Sequence, residues 1–235
     1  MRSQPRPITR KGLSRIEGLL QGQWGPSSPK PARPPLDDLI LTILSQNTTD
    51  TNSGRAFAAL RQRWPAWESA RRAPLSEIEG TIRVGGLAQI KAGRIKSLLE
   101  EVYRERGELS LDFLKQLSDG EAWSYLRRFK GVGPKTAACV MLFSLGRPAF
   151  PVDTHIFRVI SRLVGADGRE GREQMQEKLQ RQAPPELAYS LHLHLVRHGR
   201  LICRPAKPLC GKCKLLPLCA YGNGLPGSEK SARGV

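Results

Sequence analysis

Cys203, Cys210, Cys213 and Cys219 place four thiols within seventeen residues, spaced C-x6-C-x2-C-x5-C. Four thiolates crowded into so short a loop repel one another unless a cation gathers them, so the loop reads as a metal centre. A structural zinc knot usually pairs two short knuckles, and here only Cys210 and Cys213 lie close in sequence. The spacing favours a [4Fe–4S] cluster, one per chain, with four-cysteine zinc as the alternative. Arg200, Arg204, Lys207, Lys212 and Lys214 surround the thiols. A metal-folded loop carrying these cations suits phosphate binding, with redox work second. The fifth cysteine, Cys139, lies in the apolar run AACVML and reads as a small core residue.

A second group of residues sits upstream. Phe129-Lys130-Gly131-Val132-Gly133 is a sharp turn between two helices, and Pro134 suits the first turn of the second. The glycines permit positive φ and keep side chains away from an approaching ligand. Hairpin amides and a helix N-terminus together make an anion site. With the surrounding basic residues, the turn reads as a helix-hairpin-helix that grips DNA backbone without reading bases. Lys135 follows at once, where a cation is unfavourable beside the helix N-terminus. Nearby positive charge favours its neutral, nucleophilic amine, although most of the 12 lysines must be solvated surface charges. Asp153, in Pro-Val-Asp-Thr-His, can cap a helix over 154–164. The same carboxylate facing a cleft could stabilise an electron-poor sugar.

Helices must position these groups. Leu36, Leu39, Ile40, Ile43 and Leu44 recur at helical spacing behind Asp37 and Asp38. Phe57 and Leu60 mark a second helix, and Ile90 to Tyr103 a long one closed near Gly107. Ser76 with Glu79, and Ser118 with Glu121, fit the capping box. Another helix ends near Arg128, and further ones fit 134–146, 154–164, 170–181 and 185–199. No alternating strand pattern persists, so the fold class is all-α. PSSPKPARPP, residues 26–35, reads as a linker, and the Gly/Ser-rich stretch from Gly222 as a flexible tail.

The chain has 235 residues with 39% hydrophobic and 25% charged, a globular composition. No run approaches the roughly 20 apolar residues of a membrane span, and the first residues show no signal-peptide core. The expected location is cytoplasmic and nucleoid-associated, without secretion or a membrane partner. Five cysteines in that setting point to metal or thiol chemistry, not disulfides. The net charge of +17 is uneven: +6 over residues 1–35, +4 over 36–180 and +7 over 181–235. Solubility or an anionic membrane surface would be served by such charge, but clustered cations at a pI near 10.3 favour a polyanion.

Taken together, these residues resemble the endonuclease III branch of the helix-hairpin-helix DNA glycosylases, over roughly residues 36–220. Gly131 to Ala137 looks like that family's hairpin and nucleophile, Val152 to Arg158 its catalytic-aspartate segment, and His198-Gly199-Arg200 with the four cysteines its iron–sulfur loop. The resemblance implies two lobes. Residues 36–148 would form a six-helix barrel with the helix-hairpin-helix. Residues 1–35 and 149–221 would form the cluster domain, and 222–235 a tail. It implies a monomer that flips a damaged pyrimidine, oxidised or reduced, out of duplex DNA and also cuts abasic sites. Lys135 would be the nucleophile and Asp153 its electrostatic partner. Gln46, Asn47, Leu87, Lys130, Gly131, Val132, Gly133, Thr136, His155, Arg200, Lys212 and Lys214 would contact DNA. Two departures stand out. The family's Leu-Pro before the glycines is Phe129-Lys130, and its gap-filling Gln falls on Asn47, with Gln46 beside it. Leu87 matches the second wedge, since an apolar residue after Gly85-Gly86 suits an intercalating tip. A monofunctional adenine-mismatch glycosylase and an inactive cluster-bearing DNA-binding protein are the alternatives. Lys135 argues against the first, and Lys135 with Asp153 against the second.

Overall fold

A computed structural model describes residues 5–29, 32–166 and 168–224. In chain order the α-helices are α1 (Arg10–Trp24), α2 (Pro35–Leu44), α3 (Asp50–Arg63), α4 (Trp67–Arg72), α5 (Leu75–Thr81), α6 (Ala88–Arg106), α7 (Asp119–Arg127), α8 (Pro134–Phe143), α9 (Thr154–Val164), α10 (Arg172–Gln182), α11 (Ala188–Leu201) and α12 (Ala220–Asn223). Short 3₁₀ turns join several of them, and no strand occurs among the described residues. The chain is all-α. No described helix is long and apolar enough to cross a membrane.

Two compact units result: Pro31–Arg147, and Met1–Lys30 together with Pro148–Val235. In the first, α2 is the central element. It buries Leu36, Leu39, Ile40, Ile43 and Leu44 and packs on α3, α6 and α8. Each such side chain contributes about 1.5–3 kcal/mol on burial. Trp67 closes the start of α2 by donating its indole N–H to Asp37 Oδ1 at 2.6 Å. α6 ends where Gly107 takes the left-handed conformation. Ser118 and Glu121 form the expected capping box on α7. The one expected at Ser76 does not form: α5 begins at Leu75 behind Pro74, so Ser76 lies within the first turn, past the N-cap position.

The second unit joins the chain's two ends. α1, which the periodicity reading did not anticipate, starts at Thr9, whose hydroxyl accepts the Gly12 N–H. It buries Leu13, Ile16, Glu17 and Leu20 and packs on α11. Within that packing, His194 Nδ1 lies 3.0 Å from both Glu17 carboxylate oxygens, and its Nε2 lies 3.2 Å from Ser27 Oγ. Both side chains are almost wholly buried. The stretch expected as a tail begins inside α12, which includes Gly222 and Asn223; its remainder, 225–235, lies outside the described residues.

A buried carboxylate and imidazole satisfy each other, so removing one leaves the other without its partner. Glu17→Ala is expected to destabilise the protein by about 3 kcal/mol, and Glu17→Gln by less. Urea denaturation of the whole chain measures both.

Candidate active site and nucleic-acid interface

α8 is buried almost all round, from Thr136 to Leu142, so its first turn is where a polar group can emerge. Lys135 occupies that turn and is half-buried. The hairpin before it is tightly made. Val132 N–H donates to Phe129 O at 3.0 Å, and Phe129 and Val132 are both buried. Phe129 stands edge-on to Tyr125 at 5.4 Å between centroids. Phe129 thus anchors the turn from the α7 side. Lys130 is exposed at the tip, and Gly131 takes φ +84°.

Gln46 closes this hairpin from another loop. Its Nε2 donates to Gly131 O at 3.0 Å and to Thr136 Oγ1 at 3.4 Å, while its Oε1 accepts from Arg94 Nη1 at 2.6 Å. Both ends of its amide are therefore engaged inside the unit. Asn47 next to it is exposed in the left-handed region, φ 52°. Leu87 shares that conformation, φ 49°. It is 51% exposed and sits with Val84 and Ile90, also exposed. That exposure separates Leu87 from an ordinary core position.

Sequence reasoning passed over three groups here. Arg94 lies against Gly131, and Lys91 is buried on α6. Asp38, buried on α2, has its carboxyl pushed up by burial, while Ser144, Arg33 and Lys135 pull it down. Arg33 is its ion-pair partner at 3.6 Å. The available signal was a charge at a core-facing register of an otherwise apolar helix stripe.

In the other unit, Asp153 caps α9. Its Oδ1 accepts the Ile156 N–H at 2.8 Å. α9 then faces the cysteine loop. Arg158 donates to Cys203 O at 2.9 Å and Gly199 O at 2.8 Å, and lies 3.1 Å from His155 Nδ1. A Cβ on Gly199 would stand 2.8 Å from that of His155, so the contact requires glycine. Arg162 Nη1 donates to Cys203 Sγ at 3.3 Å and to Arg204 O at 2.7 Å. Gly222 N–H donates to Cys219 Sγ at 3.3 Å, and Cys213 Sγ lies 3.5 Å from His198 Nε2. Burial pushes the Cys213 thiol up to about 11, with the charges of Cys219, Cys203 and Cys210 adding to the rise. Burial raises Cys219 for the same reason. Cys213 and Cys219 thus lie within reach of the charge of neighbouring thiols, and hydrogen-bond donors point at Cys203 and Cys219. No three His, Cys, Asp or Glu among the described residues are gathered as one metal ion requires. Arg200, Lys212 and Lys214 are exposed around the loop. Lys135 belongs to the unit 31–147 and Asp153 to the other.

The hairpin's geometry makes Gly131 its sensitive point. A Cβ there would lie 2.5 Å from Arg94 Nε, displacing the guanidinium that holds Gln46, and the left-handed φ would be strained besides. Gly131→Ala is expected to lower stability by about 1–3 kcal/mol and to weaken duplex binding. Thermal melts and titration with labelled DNA measure the two effects.

The HhH-GPD superfamily base excision DNA repair protein model matches residues 40–185. An Arabidopsis thaliana protein provisionally named a DNA glycosylase is 42% identical over 179 residues, 76% of this chain and 58% of its own length. The chain thus spans somewhat over half of that relative. Endonuclease III of Escherichia coli (strain K12) is 34% identical over 194 residues, covering 80% of this chain and 84% of that protein. Among solved structures, a trapped endonuclease III–DNA covalent intermediate superposes with a TM-score of 0.76 at 26% identity, covering 92% of this chain and 98% of that one. A helix-hairpin-helix ahead of a half-buried lysine, with matches to both a family model and full-length relatives, places this chain in the HhH-GPD superfamily of base excision DNA repair proteins, close to endonuclease III.

Proposed function

We propose that the protein is a DNA glycosylase and abasic-site lyase that removes oxidised or reduced pyrimidines from duplex DNA. The observation that carries this reading is Lys135, half-buried on the first turn of α8 directly after the Gly131–Gly133 hairpin. Hairpin amides with Lys130, Arg200, Lys212 and Lys214 hold backbone phosphates without reading sequence. Leu87 enters the stack as an apolar wedge, and Asn47 fills the gap that the extruded base leaves. Gln46 is occupied with Gly131 and Arg94, which favours Asn47 for that gap despite its shorter side chain.

The neutral Lys135 amine attacks C1′ of the flipped nucleotide. The C1′–N bond breaks, and the base leaves with its electron pair and takes up a proton. The Asp153 carboxylate stabilises the positive charge that develops on the sugar. Loss of a proton from the new amine and ring opening give a protonated Schiff base between Lys135 and C1′. Its electron demand acidifies the 2′ hydrogen. Removal of that proton expels the 3′ phosphate by β-elimination, and water then releases the enzyme.

A [4Fe–4S] cluster fits Cys203, Cys210, Cys213 and Cys219. The donor set is all sulfur and lies within one short loop, with the spacing that favours a cluster over two zinc knuckles. Bound there, the cluster would tie four points of the loop into one rigid support for Lys212 and Lys214, and the sugar chemistry would stay with Lys135.

Borohydride is expected to trap a covalent protein–DNA adduct during turnover. Lys135→Gln should abolish both the adduct and strand cleavage. Asp153→Asn keeps a capping oxygen, so stability should stay near wild type while excision falls by about a hundredfold or more. An adduct persisting in Lys135→Gln removes that residue from the mechanism. Protein purified without air should contain about four irons and four sulfides per chain; one zinc without sulfide would overturn the cluster.

A further inference from the structure

Among the described residues only two non-glycine residues have positive φ, Asn47 and Leu87. Leucine is a poor occupant of that region, and such strain persists only where the surroundings over-determine it. Both residues are exposed at loop tips, and both loops are held by one buried group. Lys91, 1% exposed on α6, donates from Nζ to Leu44 O at 2.7 Å and to Gly85 O at 2.7 Å. The first carbonyl lies three residues before Asn47, the second two residues before Leu87. Burying a lysine is costly unless its hydrogen bonds are made. An apolar side chain of similar length would fill the space and leave the loops untied.

The same helix reaches a third loop. Arg94, one turn on from Lys91, holds Gln46 Oε1, and Gln46 Nε2 holds Gly131 O of the hairpin. One helix therefore frames the Asn47 tip, the Leu87 tip and the hairpin by short polar contacts, all within the unit 31–147.

We infer that Lys91 is a positioning residue that fixes the separation of the Asn47 and Leu87 tips, and that the Arg94–Gln46 contact extends this frame to the hairpin, so that the tips enter the duplex as one body with the phosphate grip. The inference rests on the reading above that these tips enter the duplex. It requires no contact between Lys91 and DNA, and it separates Lys91 from the phosphate-binding lysines.

The test uses the whole protein and a duplex with 2-aminopurine stacked beside a tetrahydrofuran abasic analogue. Unstacking by the tips raises the fluorescence when wild-type protein binds. Lys91→Met keeps the stem and removes the donors. It should retain the circular dichroism of wild type and its affinity for undamaged duplex. It should lose most of the fluorescence rise, and slow single-turnover excision of an oxidised pyrimidine by about a hundredfold, the scale of an ångström-level misplacement. A full rise in folded Lys91→Met overturns the inference. Should that variant fail to fold, Gln46→Leu cuts the frame at a partly exposed position; a reduced rise supports the frame and a full rise overturns it. Leu87→Ala distinguishes the two levels. If it keeps the full rise, the reading of the tips fails and the inference with it. If it loses the rise while Lys91→Met keeps it, the inference alone fails.

Discussion

The burial of α8 governs the rest of the unit that contains it. Thr136 through Leu142 are all buried, because α2 and α7 pack on this helix. A helix apolar all round cannot rotate to place a charged residue in water. Only its first turn is available, and Pro134 and Lys135 occupy it. The hairpin supplies the way in, the left-handed Gly131 gives the turn, and Phe129 fills the space beneath it. The position of the lysine is thus decided by the core behind it more than by anything in front.

α9 plays the corresponding part in the other unit. Its N-terminus is capped by Asp153, and one face carries Arg158 and Arg162 at helical spacing. Their guanidinium groups gather the carbonyls of Gly199, Cys203, Arg204 and Pro205. A loop with almost no regular structure therefore receives its shape from a neighbouring helix. The carboxylate proposed for catalysis caps this short helix and the cysteine loop hangs on its arginines, so a shift of α9 would move both.

Much of this was legible from residue order. α8 and α9 were marked by Pro134 and by Asp153, and Gly107 closed α6, because caps and prolines act over a few residues. The all-α class followed from the absence of alternation. What escaped depends on partners far apart in the chain. Ser76 met the capping pattern, but Pro74 and Leu75 started α5 earlier. Gln46 sits in a segment that suggested DNA contact, yet its amide is engaged by Arg94, 48 residues away. Nothing in the local sequence sets Lys91 apart from the other lysines, and its burial depends on how α6 lies across two loops. Local rules carry no information about such closures.

The pairing of Glu17 with His194 has a consequence for how the molecule is made. The two residues are 177 positions apart, and α1 buries its apolar face on a helix that begins at Ala188. On a ribosome adding about 5–20 residues per second, α1 waits about 10–35 s for that partner. The unit 31–147 has its whole sequence well before then. Throughout that interval α1 has no surface on which to bury Leu13, Ile16 and Leu20, so the unit that joins the chain's two ends is the last to have its core available.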